Sequence, residues 1–307
     1  MAPPTTALAL TLLRVTAAAS GEPPKATVYW DFSDSSAPFK DKISGYQLVQ
    51  HNATHPVELV PAAAPFATAA AFGFATAHEP YPGADGNRLW AGRETVPKLA
   101  AIEGPSAQVS VVVWVQVGPG ERPQHGMSGG GFVGGVWEES ESWRQWAIFM
   151  DHTGSCKAKN GLVAHISPEG GPSPGQKYCE SRACGETALQ PHAWHCLGNV
   201  YDGHAVRAYV NGTLDTNSSI DPNNPFSLPD PPRFPNGGIF KPPAGGGANF
   251  SIGANFVHPG GGKGAAILSN KFVGLLGGFA VWDRALTRPE VAEVCATPHH
   301  GAWHAPQ

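Results

Sequence analysis

A run of three predicted strands joined by two turns, over residues 194–214, constrains the fold more than any other part of the chain. Asp202-Gly203 and Asn211-Gly212 tolerate the positive backbone φ angles that two-residue β-hairpins require, so both turns are predicted to be of that type. Between them, apolar residues alternate with Arg207 and Tyr209, and the face with Arg207 and Tyr209 is expected to meet water or a ligand. The apolar positions, predicted to lie in the core, are Val206, Ala208 and Val210.

A second strong pattern predicts a central strand over residues 108–117. Valines occupy every second position there, and Val112 and Trp114 make the opposite face apolar as well. Such a strand is expected to be buried on both sides. The 38 glycines and 30 prolines among 307 residues predict many turns and loops around it.

Only one helix is predicted, and it lies close to the C-terminus. Thr287 and Glu290 have the spacing of a capping box, and Pro289 stands in the first turn, where its missing N–H costs little. Many short strands followed by one helix indicate an all-β fold. We therefore expect a two-sheet antiparallel jelly-roll sandwich over residues 26–296, with one short C-terminal helix and a flexible tail at 297–307.

The N-terminal segment, residues 1–20, has an apolar run followed by small residues and resembles a secretory signal peptide. The run is shorter than the roughly 20 apolar residues that cross a bilayer, and no other segment comes closer, so no membrane span is predicted. Secretion is the expectation. Candidate N-glycosylation sequons, apart from the one in the Asn211-Gly212 turn, are those of Asn52, Asn217 and Asn249.

The formal net charge of −4 shows no basic excess. A nucleic-acid backbone or an anionic membrane surface is therefore not an expected partner.

The five cysteines lack the C-x-x-C spacing of a zinc site, so an oxidising compartment is expected to pair four of them. Cys156, Cys179 and Cys184 fall in or beside one predicted loop region, and two of these three are expected to pair. Cys196 or Cys295 is then predicted to be the odd thiol, with Cys196 kept among the disulfide candidates. The connectivity stays open at this point.

Several segments together resemble a known family. YWDF, VSVVVWVQV, GGVWEESESWRQWAIFMD, WHCLGNVYDGHAVRAYVNGTLD, FSIGANF and FVGLLGGFAVWDRALT follow one another as in the laminin G-like jelly rolls of the concanavalin A-like lectin/glucanase superfamily. The resemblance covers about residues 27–296 and implies two curved antiparallel sheets, one with a concave face that often receives carbohydrate in relatives. It does not imply one activity, because this fold hosts lectins, hydrolases, lyases and adhesion modules.

A sugar site needs an aromatic surface for the apolar faces of the rings and planar polar groups for the hydroxyls. Residues of that chemistry occur on adjacent predicted strands and loops, with Arg144 the strongest of them. The alternative for the tryptophans is an ordinary place in the core. The candidate ligand-binding residues are Trp137, Arg144, Trp146, His165 and Tyr178.

Catalysis would require two carboxylates aimed at one glycosidic bond, about 5 Å apart in a retaining enzyme. Glu139 and Glu141 would share a strand face, but the E-x-D-x-x-E spacing of the family's glucanases is absent. A charged strand end in solvent explains these glutamates as well.

Calcium is the cofactor that the resemblance implies, because many relatives bind it through Asp side chains and carbonyls at loop ends. The candidate ligands are Asp31, Asp202 and Asp283, for which turn hydrogen bonding is the alternative.

The sequence thus favours a secreted, non-catalytic module that binds carbohydrate or an extracellular or cell-surface protein. The alternatives are a polysaccharide-acting glycoside hydrolase or lyase, and a structural or adhesion module without a glycan site.

Overall fold

The computed structural model describes residues 24–76, 79–80, 87–118, 131–139, 142–150, 161–174, 179, 181–215, 237–257 and 267–298. The predictions for residues 1–20 and for 299–307 of the tail lie outside this part of the chain. So do those for Glu141, Cys156, Tyr178 and Asn217.

The described residues form short strands, two α-helices, one 3-10 helix at Arg93–Thr95 and connecting turns. The strands are β1 Val28–Trp30, β2 Val49–Gln50, β3 Glu58–Pro61, β4 Thr68–Phe72, β5 Phe74–Thr76, β6 Glu79–Pro80, β7 Leu89–Ala91, β8 Val109–Val117, β9 Gly131–Val136, β10 Trp146–Met150, β11 Leu162–Ile166, β12 Arg182–Cys184, β13 Trp194–Tyr201, β14 Val206–Val210, β15 Thr213–Leu214, β16 Phe250–Ile252, β17 Asn255–Val257, β18 Ile267–Ser269 and β19 Gly274–Trp282. The helices are α1 Pro97–Ala100 and α2 Arg288–Ala296.

Two antiparallel sheets account for most of the strands. Sheet A has eight strands in the order β15-β14-β13-β8-β19-β4-β3, with β1 also paired to β19. Sheet B has seven strands in the order β12-β11-β10-β9-β16-β7-β2. Two further pairs, β17-β18 and β5-β6, stand apart from the sheets. The predicted β-sandwich with one short C-terminal helix is confirmed.

Strand β8 lies inside sheet A, between β13 and β19, and is buried on both faces as predicted. Its odd-numbered valines join the core between the two sheets, where they meet Trp30, Trp146 and Phe279. On the outer face of sheet A, Val112 and Trp114 belong to a second apolar cluster that includes residues of helix α2. The valine alternation therefore corresponds to two separate hydrophobic layers.

The predicted meander is β13, β14 and β15, but its two turns differ. Val210 pairs with Thr213, so Asn211 and Gly212 form a two-residue turn with φ angles of 50° and 78°. At the other turn Tyr201 pairs with Val206, which leaves the four-residue loop 202–205. The two-residue prediction is wrong there.

The side chain of Asp202 explains the longer loop. Its Oδ1 accepts hydrogen bonds from the backbone N–H groups of His204 and Ala205, at 3.0 and 2.8 Å. Such side-chain to backbone bonds stabilise a local turn that competes with the tighter hairpin.

The core positions of the meander are confirmed, since Val206, Ala208 and Val210 lie in the inter-sheet core. The opposite face is not open as expected, because Tyr209 is buried in the cluster that contains Val291 and Val294 of helix α2. The helix covers the outer face of β14 as well as that of β8.

Helix α2 begins with the predicted capping box. The Thr287 hydroxyl accepts a hydrogen bond from the Glu290 N–H, and the Glu290 carboxylate accepts one from the Thr287 N–H at 2.7 Å. The short strand β12 and the one-turn helix α1 were not predicted. Neither has a periodic pattern long enough to show in the sequence.

The disulfide arrangement differs from the prediction. Cys196 of β13 is bonded to Cys295 of α2, so neither is the odd thiol. Cys184 is disulfide-bonded as well. Cys179 is the free cysteine of the described chain and is buried, with burial raising the pKa of its thiol.

Removing the Cys196–Cys295 bond is expected to destabilise the sandwich. It closes a loop with a sequence separation of 99 residues, which restricts the unfolded chain. The double variant Cys196→Ser/Cys295→Ser should lose about 2–4 kcal/mol of unfolding free energy in urea titrations under non-reducing conditions. A loss below about 0.5 kcal/mol would show that helix α2 is held by packing alone.

Acid should weaken the start of helix α2 through one carboxylate. The Arg284 side chain bonds Glu290 at 2.6 Å and holds the pKa of that carboxyl at about 2, against an ordinary value of 4.5. Because the folded-state pKa is lowered, this stabilisation is complete above about pH 4.5 and is lost as the pH falls towards 2. Glu290→Gln should cost about 1 kcal/mol at neutral pH, and its difference from wild type should shrink in acid.

Glu293 supplies the matched control, since it lies one turn along the same helix without a salt bridge among the described residues. Glu293→Gln should leave the acid dependence of thermal unfolding unchanged. An unchanged profile for Glu290→Gln would contradict the assignment.

Candidate functional site

Three of the predicted ligand-binding residues lie together on the outer face of sheet B. Trp137, Arg144 and His165 are all buried there, with the Trp137 and His165 rings 5.1 Å apart between centroids. Trp146 points the other way. It is 0% exposed in the inter-sheet core and packs against Phe250, so its ring offers no surface to a ligand. The core alternative is the correct one for Trp146.

Arg144 and Glu139 are the centre of a hydrogen-bond network on this face. Nε and Nη2 of Arg144 donate hydrogen bonds to the Glu139 carboxylate, at 3.0 and 2.9 Å. Trp137 Nε1 donates to the same carboxylate at 2.9 Å, and Asn255 Nδ2 does so at 3.4 Å. We call Trp137, Glu139, Arg144 and Asn255 the central network.

The central network accounts for Glu139 without catalysis. Both carboxylate oxygens already accept hydrogen bonds from buried donors, which fixes the side chain in place. A glycoside hydrolase also needs a second acid at the required distance from the first. The candidate predicted from the sequence, Glu141, lies outside the described residues.

The calcium candidates do not come together. Within the described ranges no group of three or more His, Cys, Asp or Glu side chains is placed to hold a metal ion. Asp202 instead bonds its own loop and the Arg207 guanidinium at 2.7 Å, and Asp31 caps the Ser33 N–H at 3.1 Å. Asp283 is exposed at the end of β19.

The aligned residues across the outer face of sheet B show where a ligand could reach it. One row of paired residues runs across all seven strands of sheet B. The residues in the middle of this row are small and buried, and those at the β12 end are buried too. Only at the opposite edge does the row meet solvent, where Trp90 is half-buried and Val49 is 46% exposed. In order of pairing the row is Val49, Trp90, Ser251, Gly135, Ala147, His165 and Arg182.

That edge has the composition of a recognition surface. Leu89 points into the core, so Trp90 and Arg88 lie on the outer side, together with half-buried Phe256 and exposed His51. The Arg88 Cζ is 3.5 Å from the centroid of the Phe256 ring and 5.6 Å from that of Trp90. The edge surface is defined here as Val49, His51, Arg88, Trp90 and Phe256.

The edge surface contains a buried cation. Arg88 is 1% exposed, and burial lowers the pKa of its guanidinium to about 9, so it still carries a charge at neutral pH. Burial and the Arg88 charge together lower the pKa of the neighbouring His51 imidazole below its usual value, so that ring is neutral at pH 7.

Hydrogen bonds connect the central network to the Phe256 segment of the edge surface. The Glu139 N–H donates to the Phe256 carbonyl at 3.2 Å, and Glu138 forms a parallel bridge with Phe256. Asn255, the next residue along, is fixed by its bond to Glu139 and by one from Asn270 at 3.2 Å. The residues predicted from sequence therefore position the ring on which Arg88 stacks.

The sequence analysis did not single out the edge surface. Its signal was the alternation of Arg88, Leu89 and Trp90, in which an arginine and a tryptophan share the face opposite an apolar residue. Phe256 is remote in sequence and has no signal that links it to Arg88.

Substitution of Glu139 should destabilise the fold, since it would leave the Arg144 guanidinium, with only 7% of its side chain exposed, without a counter-charge. Glu139→Gln is expected to cost about 3 kcal/mol in chemical unfolding, at the low end for a buried pair. Glu139→Gln/Arg144→Met should recover part of that loss because no charge then stays buried.

Glu58 on β3 is exposed and serves as the control, for which Glu58→Gln should change stability by less than about 0.5 kcal/mol. A cost for Glu139→Gln as small as the control's would show that the pair contributes nothing.

Comparison with known proteins identifies the fold. The sequence matches no family model and no curated protein. Domain 4 of AbnA, a GH43 extracellular arabinanase from Geobacillus stearothermophilus, solved in complex with arabinotriose, aligns at 16% identity with a TM-score of 0.51, over 89% of this chain and all of that domain. Its likeness shows a shared β-sandwich fold.

The botulinum neurotoxin serotype G binding domain aligns at 9% identity with a TM-score of 0.49, over 89% of this chain and 51% of that one. The chain thus spans about half the length of this second structure. No helix in the described part of the chain is long and apolar enough to cross a membrane.

Proposed function

We propose that this protein is an extracellular, non-catalytic carbohydrate-binding module of the laminin G-like, concanavalin A-like type, and that the edge surface contacts the glycan. The central network is assigned a positioning role behind it. The predicted residues Trp137 and Arg144 thus contribute to binding through the place they give to Phe256.

One observation carries the proposal. A half-buried tryptophan lies beside a guanidinium on an otherwise covered sheet face. An aromatic ring suits the apolar face of a sugar, and nearby planar donors suit its oxygens. Trp90 supplies the ring, exposed His51 supplies a neutral ring nitrogen for hydrogen bonding, and Arg88, which is 1% exposed, adds a positive charge beside the ring.

The comparison supports the same class of function. Domain 4 of AbnA, whose fold this chain shares, was solved with an arabino-oligosaccharide bound. Because one fold hosts many functions, the inference for this chain depends on the residues of the edge surface.

An extracellular location agrees with the covalent chemistry. The Cys196–Cys295 bond joins a strand to a helix inside the folded domain, and stable disulfides of this kind form in oxidising compartments. The leader-like residues 1–20 and the sequons of Asn52 and Asn249 point the same way.

The enzyme alternative has less support. Glu139, the described member of the proposed acid pair, is committed to Arg144 and Trp137, and a hydrolase needs one carboxyl free to donate a proton. A polysaccharide digestion assay with a reducing-end readout should show no product above buffer. Product formation that is lost in Glu139→Gln would overturn the non-catalytic assignment.

Glycan binding should depend on Trp90. A glycan array covering plant, algal and animal polysaccharides is expected to yield at least one ligand, and Trp90→Ala should weaken its binding about 10-fold or more by removing the ring surface. Isothermal titration with the best array ligand measures the change.

Trp194 of β13 is the matched control, because it is also half-buried but belongs to sheet A. Trp194→Ala should leave glycan affinity unchanged. The proposal fails if no glycan binds at millimolar concentration, or if both tryptophan variants weaken binding equally.

A further inference from the structure

Building on the proposed function, we infer that Arg88 is the anchoring residue for a carboxylate, so that the edge surface selects acidic sugars over neutral ones. The ligand class is a uronic acid or another carboxylate-bearing sugar within a glycan. The inference concerns the charge of the ligand, which the proposed function leaves open.

Arg88 is unusual in this molecule because it is buried and has no counter-charge. Its Nε and Nη2 are buried without a hydrogen-bond partner, and no salt bridge joins it to any described residue. Four other arginines of the described chain are paired with Asp or Glu. These are Arg93 with Glu103, Arg144 with Glu139, Arg207 with Asp202 and Arg284 with Glu290.

An unpaired buried charge is costly, since it gives up hydration and gains no opposite charge in return. The lowered pKa of Arg88 reports that cost. The Phe256 ring, stacked at 3.5 Å, offsets part of it through a cation–π contact, which leaves the nitrogen donors unused. A carboxylate would supply the missing counter-charge.

The geometry favours a carboxylate on a sugar. Phe256 occupies one flat face of the guanidinium, and Nε and Nη2 are covered, so a carboxylate would approach Nη1 and form a charge-assisted hydrogen bond there. Trp90, on the same side, offers its ring to the sugar that carries the carboxylate. A single cation in a chain of net charge −4 does not suit a polyphosphate backbone.

The test compares two ligands that differ only in the carboxylate. Calorimetry measures the binding of oligogalacturonate to the full chain, and then of the same oligomer after chemical reduction of its carboxyl groups. The comparison is repeated with oligoglucuronate and its reduced form. Wild type is expected to bind at least one acidic oligomer about 10-fold or more tightly than its reduced form. Inorganic sulfate at equal concentration should not displace it.

Arg88→Met keeps the length and apolar contact of the side chain but removes the charge. It should bind the acidic and the reduced oligomer equally. Its melting temperature should equal or exceed that of wild type, because no unpaired charge stays buried. Arg88→Lys retains the charge without the forked donors and should give an intermediate preference.

Arg207→Met is the matched control, since Arg207 is paired with Asp202 on sheet A and should not affect the preference. Equal affinity of wild type for both forms of every oligomer would overturn the inference while leaving the proposed glycan site intact. A preference that survives in Arg88→Met would also overturn it, as would displacement by sulfate. Absence of binding to any glycan, acidic or neutral, would overturn both proposals.

Discussion

The packing of sheet A against sheet B is the interaction on which the other features depend. Trp30, Phe250 and Phe279 pack between the sheets with ring centroids 5.2 to 6.4 Å apart, in the same core cluster as the valines of β8. Helix α2 then covers part of sheet A, and an aromatic cluster around Phe149 covers part of sheet B. Among the described residues, the row through Trp90 reaches solvent at the β2–β7 edge, where we propose that a ligand binds.

Much of the fold could be predicted from the sequence because its signals are local. Alternation along β8, the Asn211-Gly212 turn and the Thr287 capping box each depend on residues close in the chain, and each is confirmed. The loop after Asp202 was mispredicted because a side chain competed with the backbone pattern. Periodicity does not show which sheet face helix α2 covers, so the burial of Tyr209 was not predicted.

The candidate site was predicted only in part, because its features are tertiary. The sequence placed Trp137, Arg144 and His165 on adjacent strands and loops, yet it could not show that they lie on one face or that they are covered. Alternation gives the parity of Trp146 but not which side is the core. The burial of Arg88 depends on Phe256, 168 positions along the chain, and no local pattern reports such a contact. The cysteine pairing failed for the same reason, since Cys196 and Cys295 meet only in the folded chain.

The Cys196–Cys295 bond has a further consequence for the edge surface. Phe256 lies in the interval between the two cysteines, on a segment that joins sheet B to sheet A. A protease that cuts the backbone once between Cys196 and Phe256 produces two fragments that stay covalently linked while the bond is oxidised. Reduction of the disulfide would allow the C-terminal fragment to dissociate. Arg88 would then lose its cation–π contact with the Phe256 ring. The redox state of the surroundings thus sets the fate of a nicked molecule.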